Sequence, residues 1–120
     1  MTFGLAWWVS LALLLTPPVM EGGATHYNAG TIMRNGHAPD WTAPTCAVAG
    51  PLYESLAGKT LLVCTKRKCA FCVVTDSGDG DAFQEYAVVL DLTPALFSVL
   101  RDRSAPDDND GRLEVRVWVQ

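Results

Sequence analysis

No basic stripe runs through this sequence: nine lysines and arginines stand against thirteen aspartates and glutamates, for a formal net charge of −4. Such a chain has no basic stripe to meet backbone phosphates, which argues against nucleic acid as its main partner. The one run of cations, Lys66-Arg67-Lys68, falls in what reads as a hairpin turn, where solvation is its ordinary role. There is no internal repeat and no low-complexity tract. Cysteine is missing before Cys46, so the start of the chain offers no acceptor for a bacterial lipid anchor. Cys69-x-x-Cys72 has no second knuckle to complete a tetrahedral zinc site, and neither a metal nor a cofactor is expected.

What is present fits one small exported domain. A chain of 120 residues leaves little room for a second core. Phe3 to Leu15, FGLAWWVSLALLL, is an uncharged apolar run followed by Thr16-Pro17-Pro18. Its length matches the core of an export signal and is short for a membrane span. No cation precedes it and no A-x-A site follows, so two readings stand. In one, residues 1–21 are a signal peptide cut between Met20 and Ala24; in the other they stay as an anchor, the chain's only contact with a membrane. Either way the rest, residues 22–120, is secreted or extracytoplasmic, and a monomer is expected.

Export also accounts for an even count of four cysteines, which suggests two disulfides. A turn over Thr65–Lys68 sets Cys64 opposite Cys69 across a hairpin. Cys72, three residues on, faces the other side, which leaves Cys46 as its partner.

Along the chain, Gly23–Asn28 is a strand candidate and 29–51, rich in Gly, Pro, Asn and Thr, reads as a long loop. Lys59–Cys64 and Cys69–Asp76 read as the arms of the hairpin, and Tyr86–Leu90 as another strand. Thr93 suits a helix cap and Pro94 a first helical position, with Leu96, Phe97 and Leu100 falling on one side. Leu113, Val115, Val117 and Val119 alternate with Glu114, Arg116 and Trp118, as in a half-buried strand. Short strands, one brief helix and long loops describe a small, mostly-β barrel.

The order of motifs carries a resemblance. GATHYNAG is followed by TCA, PLYESLAGKTLLV, CVVTDSG, VLDLTPALF and GRLEVRV. Over residues 22–120 this resembles the double-psi β-barrel domain of the rare lipoprotein A family, the septal ring lytic transglycosylases, a barrel shared with expansins and family 45 endoglucanases. The resemblance implies a six-stranded double-psi barrel with one short helix, acting on peptidoglycan or another polysaccharide. It also implies that Asp76 takes the place of the family's catalytic aspartate and Tyr27 that of a first-strand tyrosine. Three positions depart from the family pattern. Ser77-Gly78-Asp79 stands where the family has Arg-Gly-Pro, Val48 replaces a histidine, and MRNGHAPDW lacks the glutamate some members use.

The chemistry so implied is lytic transglycosylation, with a glycan-binding or wall-loosening module without turnover, as in expansins, as the alternative. Glycoside hydrolysis normally needs two carboxylates. Asp40, the acid in the loop after the first strand, is the candidate second group. A transglycosylase relaxes that demand, since one carboxyl can protonate the leaving oxygen and then take a proton from the sugar's own hydroxyl. Asp76 has two other readings, a turn cap and, with Asp79 and Asp81, a calcium ligand. His26 and Tyr27 are candidates to line a sugar groove, on opposite faces of their strand; Trp41 either stacks on a sugar or packs under its loop. Asp91 is read as structural, fixing backbone at the strand–helix junction.

Overall fold

The computed structural model describes residues 16–78, 87–105 and 111–120. The apolar run Phe3–Leu15, and Asp79 and Asp81, lie outside the described residues. The elements in order are β1 (Met20–His26), β2 (Thr45–Ala49), α1 (Gly50–Leu56), β3 (Thr60–Cys64), β4 (Cys69–Gly78), β5 (Val88–Leu92), α2 (Pro94–Leu100) and β6 (Leu113–Val119). The six strands close into a barrel in the order β1-β5-β2-β4-β3-β6. β1 runs parallel to β5 and β2 parallel to β4; the other four contacts are antiparallel. Closure leaves none of these strands with an unpaired edge.

The interior is aliphatic. Val48, Leu61, Val63, Val74, Leu90, Leu92, Leu113 and Val117 fill the barrel, and Leu96, Phe97 and Leu100 of α2 join the same cluster. Each such side chain contributes about 1.5–3 kcal/mol by leaving water. β6 follows its expected alternation, with Leu113, Val115 and Val117 buried and Glu114 and Arg116 exposed. Trp118 is buried too, on the outer face, against Leu62 and Cys64. Its indole N–H donates to the Thr16 carbonyl at 2.8 Å.

Several sequence expectations need correction. The stretch 29–51 is not one loop, because β2 and the start of α1 lie within it. β2 pairs on both sides, with β4 and with β5, and Cys46, Ala47 and Val48 are all buried. A strand buried on both faces has no alternating signature to read. α1 brings the number of helices among the described residues to two; it buries no residue fully and has no side-chain cap, so its sequence pattern is weak. Thr93 precedes α2 as expected but makes no capping bond; its hydroxyl donates instead to the Ala43 carbonyl. β1 starts at Met20, not Gly23, because Met20 and Glu21 pair with Val117 and Arg116. The expected cleavage zone, Met20–Ala24, therefore lies inside a barrel strand.

Cys64 and Cys69 are bonded, opposite one another across the β3–β4 hairpin as its turn length requires. Cys46 and Cys72 are buried thiols with sulfurs 2.7 Å apart, so the structure brings the second expected pair together without a bond.

Candidate functional site

Two irregularities in the ladders build the site. Between β2 and β4, Cys46 pairs with Val74 but Ala47 pairs with Asp76, which leaves Thr75 as one extra residue on β4. Val74 joins the core, and Asp76, buried as well, has polar partners. Along β4, Cys72, Val74 and Asp76 are buried and alternate with half-buried Val73 and Thr75, as strand geometry expects. A matching shift between β1 and β5 makes Val89 the extra residue there.

As a result Thr25, Asp91, Ala47 and Asp76 stand in one row across β1, β5, β2 and β4. Two strand spacings put the backbones of Asp76 and Asp91 roughly 10 Å apart. Ala47 pairs with both and stands between them in the row.

Asp76 is 4% exposed, and each of its oxygens has a donor. The Tyr27 hydroxyl donates to Oδ2 at 3.3 Å, and the Arg34 backbone N–H donates to Oδ1 at 2.8 Å. Asp76 thus caps no turn of its own glycines. No cluster of metal-ligating side chains occurs among the described residues. Tyr27 follows β1 directly and is tied to β5 through its N–H and the Leu92 carbonyl, 2.8 Å apart. Burial, then the charges of Asp76 and Asp91, push its phenol far above the ordinary range, so it remains a donor at any working pH.

Asp91 is half-buried and accepts a 2.9 Å bond from the Thr25 hydroxyl. Burial raises its carboxyl above the ordinary value, opposed by that bond and by His26. The role read from sequence, fixing backbone, is not what its side chain does: it bonds a neighbouring side chain in the row that holds Asp76. His26 turns the other way from Tyr27. Its Nδ1 is 3.0 Å from the Tyr27 carbonyl, and its ring meets Phe97 edge-on at 4.9 Å. With Phe97, Ser98 and Arg101 it lines a cavity of about 240 Å³.

The structure does not bring Asp40 to this row. It is exposed and accepts both the N–H and the hydroxyl of Thr42, at 2.9 and 2.7 Å, which holds its carboxyl below the usual range. That is a turn made by an aspartate side chain. Trp41 is 40% exposed, with its carbonyl accepting from the Ala95 N–H at the start of α2. Sequence reading missed Arg34, although a signal existed: it is the only lysine or arginine between Ala29 and Pro51.

No protein-family model and no curated protein matches the chain. Solved structures do. Apo expansin of Clavibacter michiganensis is 25% identical over 84% of this chain, with a TM-score of 0.58. An aspartate-to-asparagine variant of a C. michiganensis expansin, in complex with cellohexaose, is 24% identical over the same share, with a TM-score of 0.59. A Streptomyces papain inhibitor is 18% identical over 83% of this chain and 92% of its own, with a TM-score of 0.59, and shows likeness of fold alone. The chain spans 50% of the length of the expansin structures it matches. The barrel is thus of the double-psi kind found in expansins, while the rare lipoprotein A resemblance rests on its motifs.

Proposed function

We propose that this chain is a secreted polysaccharide-binding module that works on cell walls, with Asp76, Tyr27 and Asp91 in its sugar groove. The observation that carries this reading is the acidic row: two carboxylates on either side of a small alanine, with a buried tyrosine donating to one of them. Carboxylates accept bonds from sugar hydroxyls. The expansin likeness, which includes a complex with cellohexaose, supports the same class of ligand.

Binding has more support than cleavage. Hydrolysis normally needs a second carboxylate; Asp40, the candidate from sequence, is bonded to Thr42, and Asp91 accepts from Thr25. Transglycosylation through Asp76 alone would need one of its two donors to be given up first. Co-sedimentation with cellulose and with peptidoglycan sacculi tests the proposal, with released sugars read by mass spectrometry. Retention without new products is the expected result. Anhydro-muropeptides made by the wild type and absent with Asp76→Asn would establish transglycosylase action instead. Failure to bind any wall polysaccharide would sink both readings.

A further inference from the structure

Arg34 sits where the loop between β1 and β2 crosses the acidic row, and three contacts meet on it. Its N–H donates to Asp76 Oδ1 at 2.8 Å. Its guanidinium donates to the Ser77 hydroxyl at 3.0 Å and lies 4.0 Å from the centroid of the Tyr53 ring. Ser77 is on β4, next to Asp76 and paired with Val48. Tyr53 is on α1, partly buried against the core. Both anchors are thus carried by regular elements, while the residue they hold belongs to a loop. A loop amide by itself has little reason to stay on one carboxylate oxygen, since the chain on either side can swing away. A planar guanidinium that stacks on a ring and donates from its edge removes that freedom.

We propose that Arg34 is the positioning residue of this site. Its side chain, held between Tyr53 and Ser77, fixes the loop so that its own backbone N–H is delivered to Asp76. The stretch MRNGHAPDW is then a device for orienting Asp76 rather than a source of a second acid. The clamp is a claim about the fold. Its consequence for sugar rests on the polysaccharide reading above.

The test uses the full chain in five forms: wild type, Arg34→Ala, Arg34→Lys, Tyr53→Leu and Ser77→Ala. Two quantities are read on each, the hydrogen exchange of the position-34 amide by NMR and the affinity for cellohexaose. A melting curve confirms that each variant folds. In Arg34→Ala and Tyr53→Leu the amide should lose its protection, and affinity should fall about ten-fold, the size of one charge-assisted hydrogen bond. Arg34→Lys keeps a cation over the ring and should recover part of both. Tyr53→Leu discriminates best, because Tyr53 does not touch Asp76 yet should free the amide. An amide that stays protected in both Arg34→Ala and Tyr53→Leu overturns the clamp. So does a fall in affinity with the amide still protected, since Arg34 would then touch the sugar directly. If the wild type binds no cellohexaose while the amide responds as described, the clamp stands and the polysaccharide reading is what loses support.

Discussion

The hydroxyl of Tyr27 donates to Oδ2 of Asp76 across 49 residues of sequence, at 3.3 Å, in a site closed to solvent around both. The distance is long for an O–H···O bond, so its strength is modest. Tyr27→Phe should therefore cost only about 0.5–1 kcal/mol in a urea denaturation, since the ring and its packing remain. A loss well above that would mean the hydroxyl has a second partner.

Asp76→Ala should be costlier. It leaves the Tyr27 hydroxyl buried with no acceptor and takes the Arg34 amide's partner away. One buried, unsatisfied donor costs about 1–3 kcal/mol, and the same denaturation curves measure it. Asp76→Asn keeps an acceptor in place and should be milder in stability, while weakening retention on wall polysaccharide. Equal retention of Asp76→Asn and wild type would make Asp76 purely structural.

Asp91 predicts a pH signature. Its folded carboxyl is raised above its ordinary value, burial being the main cause. A raised group stabilises the fold while protonated, fully so below its unfolded value, and that stability is lost as pH rises through the folded value. Asp91→Asn cannot ionise and escapes this loss. The melting temperature of Asp91→Asn relative to wild type should therefore climb from about pH 3 to neutrality, as monitored by circular dichroism. A flat difference would show that the Thr25 bond and His26 offset the burial of the charge.

Cys46 and Cys72 are expected to become a second disulfide in an oxidising compartment. Their sulfurs are already neighbours, and the link would join β2 to β4 beside the bulge. The contact with Cys72 and burial raise the Cys46 thiol well above its ordinary value, so it stays neutral and reacts slowly once folded. Oxidation then has to accompany folding. Alkylation in denaturant without reductant should label none of the four cysteines of the exported protein. Labelling of Cys46 and Cys72 alone would show a permanent thiol pair. The bond is expected to add about 3 kcal/mol, by limiting the unfolded chain.

Much of this architecture is local, and local features are what a sequence declares. The β3–β4 hairpin follows from a short turn between two apolar runs, and its disulfide follows from the hairpin. Pro94 opens α2 because a proline lacks only a donor that the first helical turn leaves unused. β6 shows its inner face through strict alternation at Leu113, Val115 and Val117. The motif order placed Tyr27 and Asp76 among the residues of interest before any contact between them was visible. Tertiary structure decided the rest. β2 is buried on both faces, so its pattern is a plain apolar run amid glycine and proline. The two ladder irregularities decide which residues stand beside Asp76 and Asp91, and a bulge depends on strand pairing rather than on any residue type. Asp40 and Arg34 occupy the same loop, and sequence pointed to the acid. Once folded, Asp40 closes its own turn with Thr42, and the backbone of Arg34 reaches Asp76, because contacts made 42 residues apart are set by barrel closure and leave no trace in spacing.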